Sequence, residues 1–369
     1  MNLESLNRNA WEAQKQGRYE EALKLFDKLA EQSTSPLNKA WAWSNSAYPL
    51  VKLKQHEAAL ARVTQAYQST KDSHFLHQIA FVERELGNYK KALDFIEHER
   101  SLIDTDNLHR LCVNSYEQAK LRQLLGLISE SHSWAEKCKH ESKDLEDWIA
   151  KACAHRVTGD QLSLEKKFLE AQVQYCWAQW CFIIAKDSLG LKEVGLLQAQ
   201  SPLSTPIGNV YFSIPDLGDS KVCEKLIKNR ADSFFTSFGT DEKFWSEFPD
   251  GSGYIEWLKS KLEKFPASIV CLYLEDTLIG QLEFGRYKPQ PDCGYVNLFY
   301  LIPEFRSKGA GALLNLYTEC HFAEDSVQKL LLSVSPKNST AIRFYSKHGW
   351  KDLGPRPNAP EGYLMEKSI

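Results

Sequence analysis

Two blocks near the C-terminus hold residue types that could do chemistry together. Arg306-Ser307-Lys308-Gly309-Ala310-Gly311 sets two basic side chains beside two glycines. Backbone N–H groups left open by glycine, next to a guanidinium and an ammonium, suit an oxyanion such as a pyrophosphate. Asn338-Ser339-Thr340-Ala341-Ile342-Arg343-Phe344-Tyr345-Ser346-Lys347-His348-Gly349-Trp350 adds an amide, a phenol and ring surface. A phenol can donate a proton, and a side-chain amide both donates and accepts hydrogen bonds. The first block lacks the closing Gly-Lys-Ser/Thr of a nucleotide P-loop, and its glycine spacing is not that of a dinucleotide fingerprint.

The surrounding sequence says which elements must position these groups. Residues 295–302 are rich in aromatic and β-branched types, too few for an ordinary helix, and stop at Pro303, which reads as a buried strand. After Gly311, the apolar residues Leu313, Leu314, Tyr317 and Cys320 recur at helical spacing. The basic-glycine block is therefore a strand-to-helix turn, with unpaired N–H groups at the positive end of a helix dipole. Residues 330–334 read as the next strand, Asn338 as a helix cap, and Gly349 as the stop of a helix that carries Ala341, Phe344, Tyr345 and His348. Taken singly, the first block is also consistent with a solvated glycine turn, and the second with a core helix.

Together the blocks resemble the GNAT superfamily of acyl-CoA N-acyltransferases. The resemblance rests on Arg306-x-x-Gly309-x-Gly311 after a strand ending at Pro303, and on Asn338-x-x-Ala341-x-x-Phe344-Tyr345-x-Lys347-x-Gly349-Trp350. It covers roughly residues 208–369. It implies an α+β domain with a mixed, mostly antiparallel central sheet, in the order β-α-α-β-β-β-α-β-α-β-β. Residues 210–214, 268–274 and 277–284 fit its first strands, residues 222–235 and 254–265 its first helices, residues 354–360 a proline-rich loop, and residues 363–367 the last strand.

The same resemblance implies roles. The backbone of Leu301 and Ile302 would pair with the pantetheine arm of acetyl-CoA, the expected co-substrate; no metal is expected. The amides of Ser307, Lys308, Gly309, Ala310, Gly311 and Ala312 would hold the pyrophosphate, with charge from Arg306 and Lys308. Asn338 would hydrogen-bond the pantetheine, and Tyr345 would protonate the leaving sulfur. Many relatives carry a glutamate on the strand before Pro303, where this chain has Tyr295 and, two residues on, Asn297. The base is then expected to be Glu283 on the preceding strand, or a chain of water; a solvent-facing carboxylate is the plainer reading of Glu283. Residues 234–248 would line the acceptor site, mostly as core with a few pocket residues; Glu242, Glu247 and, just beyond, Asp250 could attract a cationic amine or simply solvate the surface.

The first half has another grammar. Gly17-Arg18-Tyr19-Glu20-Glu21-Ala22-Leu23 recurs as Gly87-Asn88-Tyr89-Lys90-Lys91-Ala92-Leu93, with a weaker copy at Gln55-His56-Glu57-Ala58-Ala59-Leu60. The spacing is close to the roughly 34-residue period of tetratricopeptide (TPR) repeats, which residues 5–105 resemble. Further helices are expected over 107–120, 133–143, 147–157 and 164–186. The fold expected is multidomain: an all-α TPR-like array over 1–199, a linker over 200–208 marked by Pro202 and Pro206, and the GNAT domain over 209–369. The array reads either as a groove for a protein or peptide partner or as a brace, and an oligomer stays open.

Composition narrows the classes. The chain has 369 residues, 43% hydrophobic and 25% charged, with a net charge of −3, which argues against a dedicated nucleic-acid binder. Nine cysteines without a Cys-x-x-Cys pair read as free thiols in a reducing, cytoplasmic setting. The histidines have no metal-binding spacing, and no apolar run approaches membrane-spanning length. Three functions remain in view: an N-acetyltransferase acting on a protein or peptide, one acting on a small amine, and a non-catalytic acyl-CoA-binding protein.

Overall fold

The structure, a computed structural model, describes residues 2–325, 327–356 and 359–369, with 359 and 360 as backbone only. The chain divides into two compact units, 1–161 and 162–369. Among the described residues, no helix is long and apolar enough to cross a membrane.

The first unit is helical throughout: α1 (Leu3–Lys15), α2 (Tyr19–Gln32), α3 (Pro36–Asn45), α4 (Ala47–Lys52), α5 (His56–Thr70), α6 (His74–Glu85), α7 (Tyr89–Ser101), α8 (Leu108–Leu124), α9 (Ile128–Ser142) and α10 (Trp148–Leu164). One tight turn is used again and again. Gly17, Lys54, Gly87 and Gly126 all sit at positive φ (74°, 62°, 81°, 74°) between the two helices of a pair. The fifth residue after each turn is small and fully buried: Ala22, Ala59, Ala92 and Ser131. A small side chain there lets the paired helices close up. Ser131 can replace alanine because its hydroxyl donates to the Ala119 carbonyl at 3.0 Å. The α6–α9 region is also threaded by low-exposure ion pairs: Arg84–Glu117 at 2.8 Å, Arg100–Glu141 at 2.6 Å and His77–Glu99 at 3.0 Å.

The second unit opens with α11 (Phe168–Ala185) and α12 (Ser188–Gln200). Then come β1 (Leu203–Thr205), β2 (Gly208–Ser213), α13 (Ser220–Phe238), α14 (Glu242–Glu247), α15 (Ser252–Lys264), β3 (Ile269–Leu274), β4 (Thr277–Tyr287) and β5 (Gln290–Leu301). The chain closes with α16 (Ala310–Glu324), β6 (Lys329–Val334), α17 (Ser339–Lys347), β7 (Lys351–Arg356) and β8 (Ala359–Ser368). The strands form one sheet in the order β1-β2-β3-β4-β5-β6-β8-β7. Every neighbouring pair is antiparallel except β5 with β6, so the sheet is mixed and mostly antiparallel, as expected.

Three local features differ from the sequence reading. The stretch expected to be a linker holds β1, which pairs Leu203 with Val210 on β2. The run expected as one helix over 164–186 starts only at Phe168, after Lys166 makes the same positive-φ turn (62°) as the repeats. The expected loop over 354–360 is strand up to Arg356 and again from Ala359; residues 357 and 358 lie outside the described residues.

The division at 161/162 also falls well before the boundary expected near 200. The physical reason lies in α11. Val173, Cys176 and Trp180 join the core of the sheet with Phe212, Leu272 and Tyr317. Gln172, fully buried, accepts from the Phe212 N–H at 3.0 Å, and Gln179 accepts from the Ile214 N–H at 2.9 Å. β1 is too short to cover this part of β2, so two glutamines satisfy backbone donors that would otherwise stay bare at a sheet edge.

Candidate functional site

The site begins where two strands part. β5 and β6 pair only from Gly294 to Val296 against Leu330 to Leu332. Beyond Val296 each strand continues alone, β5 to Leu301 and β6 to Val334. The gap is a cleft of about 1110 Å³, lined on one wall by residues 297–301 and on the other by Ser333, Val334 and Ser335. That is ample for a long ligand beside a second small one.

The wall offers backbone groups as well as side chains. Antiparallel ladders turn alternate residues toward each neighbour. The Ile302 N–H donates to the Ile279 carbonyl at 3.0 Å, so Ile302 and Tyr300 face β4. Phe299 and Leu301 therefore turn their amides to the edge that β6 has left. Ile302 was expected to share this role. Its N–H is committed to Ile279 and its carbonyl accepts from Phe305, so the alternation passes the role to Phe299.

At the far end of the cleft stands the basic-glycine turn. Ser307 and Gly309 both take positive φ (60° and 91°), and α16 begins at Ala310. The N–H groups of Ser307, Lys308, Gly309, Ala310 and Gly311 have no acceptor among the described residues, whereas that of Ala312 bonds the Gly309 carbonyl at 3.1 Å. Five bare donors at a helix N-terminus form an oxyanion site. Arg306 was expected to add charge to it. Instead its Nε donates to the Leu301 carbonyl at 2.8 Å and its Nη2 to Asp232 at 2.7 Å, with the guanidinium over the Tyr300 ring. Arg306 therefore ties the turn to β5 and α13. The two glycines have separate tasks: Gly309 supplies the left-handed backbone, and a Cβ on Gly311 would come within 3.1 Å of the Phe344 ring.

α17 supplies the other expected residues. Asn338 caps it, its Oδ1 accepting from the Ala341 N–H at 3.0 Å, while Nδ2 reaches Ser237 at 3.5 Å. Asn338 lines the cleft, with its acceptor oxygen already used. Tyr345 lines it too, with its ring 6.1 Å from Phe299 and 5.9 Å from Trp350. Its hydroxyl has no hydrogen-bond partner among the described residues. Burial pushes the Tyr345 phenol above its ordinary value, so it stays protonated through the neutral range.

Glu283 lies elsewhere. It is fully buried and is not among the residues that line the cleft. Its Oε1 accepts from the Tyr254 hydroxyl and from Gln281 at 2.9 Å. Its Oε2 has no hydrogen-bond partner among the described residues; Arg230 is the near cation, at 4.0 Å. The link to the cleft runs through a bulge: Glu283 pairs with Leu298 and Phe284 with Val296, leaving Asn297 extra on β5. The Asn297 carbonyl accepts from Arg230 at 3.1 Å, and its side chain accepts from Lys261. Burial, only partly offset by Glu283, lowers the Lys261 ammonium to about 8.

The acidic residues expected to attract an amine, Glu242, Glu247 and Asp250, are exposed and do not line the cleft. Phe234 and Phe238 do, while Phe244 is core. Arg230, Asp232 and Lys261 went unnoticed in the sequence. They stand on α13 and α15, at least 36 positions before the residues they brace, and no local spacing links the two.

Comparison with known proteins places this geometry. Residues 228–350 match the family model described as the acetyltransferase (GNAT) family. No curated protein matches the chain. Among solved structures, the PaiA N-acetyltransferase of Thermoplasma acidophilum, in complex with coenzyme A, is 21% identical, with a TM-score of 0.37 over 43% of this chain and 99% of that one. A tetratricopeptide repeat protein of Parabacteroides merdae is 15% identical, with a TM-score of 0.45 over 54% of this chain and 71% of that one. Within the C-terminal unit, residues 228–350 thus match the GNAT acetyltransferase family, and the helices of the first unit pair through one repeated positive-φ turn.

Proposed function

We propose that this GNAT domain transfers an acetyl group from acetyl-CoA directly to an amine, and that the amine belongs to a protein or peptide recruited by the helical unit. The observation that carries the first half is the continuity of the cleft. A strand edge with open amides at Phe299 and Leu301 leads into a turn with five bare N–H groups. A pantetheine arm would pair with the first, and a pyrophosphate would sit at the second.

In the reaction, the neutral amine attacks the thioester carbonyl, the carbonyl oxygen becomes an oxyanion, and the sulfur leaves. Tyr345 is suited to donate a hydrogen bond to that sulfur. With ordinary values of about 10 and 8.5, full proton transfer from a phenol to a thiolate costs roughly 2 kcal/mol. Burial raises that cost, so hydrogen bonding rather than complete transfer is the better account. Among the described residues the one carboxylate that lines the cleft, Glu361, is held by Lys243, and Glu283 is buried and does not line it. Water filling the cleft is then the route to bulk.

Recruitment by the helical unit is supported by its repeat geometry, since such arrays present extended surfaces to partners. The nine cysteines, none of them in a disulfide among the described residues, fit a reducing, cytoplasmic setting. The test is thiol release from acetyl-CoA against a panel of peptides and small amines, with mass spectrometry of the products. A mass increase of one acetyl group on a peptide amine, with matching thiol release, is expected. Acetyl-CoA binding without thiol release for any acceptor would sink the catalytic reading.

A further inference from the structure

Both ends of the cleft present positive charge. The oxyanion turn marks one end. The Asn297 bulge lies four strand residues before Leu301, about 13 Å away, and Tyr295 about 20 Å away. A free amine is a cation at neutral pH, so a site built for a simple amine should present carboxylates. The far end presents the opposite. Arg230, Lys243 and Arg356 line it, with Glu361 as the one carboxylate among its described lining residues.

Glu361 is already spoken for. Lys243 sits 3.4 Å from it. Its backbone hydrogen bond, Lys243 and Arg356 together hold it below the ordinary carboxylate range. Arg356 lies over the Tyr295 ring at 5.7 Å and donates to no carboxylate among the described residues. Arg230 uses Nη1 on the Asn297 carbonyl and stands 4.0 Å from Glu283, which leaves its Nη2 without a described partner. Two guanidiniums with donors to spare, on a cleft walled by Phe234 and Tyr295, suit an oxyanion. The pyrophosphate cannot account for them, because its turn is at the other end.

We propose that the acceptor carries its own anionic group, a carboxylate or phosphate, within a few atoms of the amine that is acylated, and that Arg356 and Arg230 bind that group. The inference rests on the acyl-transfer reading and narrows its substrate class. For a peptide acceptor it means an acidic residue or a phosphorylated one beside the reactive amine.

The test compares matched acceptors: tyrosine with tyramine, arginine with agmatine, phosphoethanolamine with ethanolamine, and acidic with neutral peptides. The anionic member of at least one pair should be acetylated at least about tenfold faster in kcat/KM. Arg356→Gln should bring that ratio close to one while leaving the KM for acetyl-CoA unchanged. Equal or better use of the uncharged members in every pair overturns the proposal. Binding separates this outcome from failure of catalysis itself. Calorimetry on the CoA-saturated protein should show N-acetylated acids and phosphates binding at least about tenfold tighter than their amides or alcohols, with Lys243→Gln as a second variant that weakens them. If neither class binds, or both bind alike, no anion clamp exists, whatever the turnover.

Discussion

Tyr345 and Glu283 are the two residues whose placement decides the chemistry. Tyr345 lines the cleft with an unpartnered hydroxyl, and Glu283 is walled off in a network with Tyr254 and Gln281. Tyr345→Phe should lower kcat by about one to two orders of magnitude and leave acetyl-CoA affinity nearly unchanged, in steady-state and binding measurements. A Phe variant with full turnover removes Tyr345 from the reaction. Glu283→Gln should act differently. It removes the charge that faces Arg230 and Lys261 in a buried place, so thermal unfolding should reveal a loss of about 1–3 kcal/mol. The pH–rate profile should keep its shape, tracking the acceptor amine. Loss of its acidic limb in the Gln variant would restore Glu283 as the base. The sequence made both residues visible, one by the Phe-Tyr motif and the other by its charge. It could not separate them, because whether a strand carboxylate faces a cleft or a core depends on α13 and α15 packing over it. Arg306 is a similar case: its type suited a phosphate, and Asp232 on α13 claims it.

At the scale of elements, the fold was legible wherever local chemistry fixes it. The hairpin of β3 and β4 turns at Glu275, at positive φ (52°), where the Glu275-Asp276 pair had marked it. The TPR-like pairs were legible where glycine made the turn, at Gly17 and Gly87. They faded where Lys54 or Lys166 bears the left-handed strain, and where Ser131 replaces the marker alanine. Short β1 carries too few residues to show a period. The ion pairs of α6–α9 give an element-scale prediction. Burial opposes a charge on His77, but the hydrogen bond and charge of Glu99 outweigh it, so the His77 pKa rises above the ordinary 6.5. A raised histidine stabilises fully below 6.5 and loses that contribution as pH climbs through its folded value. Glu99 is lowered, despite burial, chiefly by His77, and its contribution is lost as pH falls below the ordinary 4.5. Melting of the helical unit should therefore be highest between about pH 5 and 6.5 and decline above it. His77→Gln should flatten the alkaline decline; an unchanged decline would discount the pair.

For the whole molecule, the decisive feature is that α11 and α12 belong to the compact unit of the sheet although they continue the helical grammar of the first half. A fragment of residues 162–369 should unfold in a single cooperative transition. One starting at 208 should not, because Phe212 and Ile214 lose Gln172 and Gln179, and the sheet core loses Val173, Cys176 and Trp180. Equal melting of the two fragments would refute this assignment. If the helical unit recruits the acceptor, the 162–369 fragment should keep its rate on a free small amine and lose at least about tenfold in kcat/KM on a protein acceptor.

The claim beneath all of this is that backbone donors at 307–311 hold a diphosphate while the parted strands hold the arm attached to it. Calorimetry of the full-length protein with coenzyme A, dephospho-coenzyme A and pantetheine tests it most directly. The first two, which share the diphosphate, should bind at one site, and pantetheine should bind at least about a hundredfold more weakly. Pantetheine binding as tightly as coenzyme A, or no saturable heat from any of the three, would contradict it.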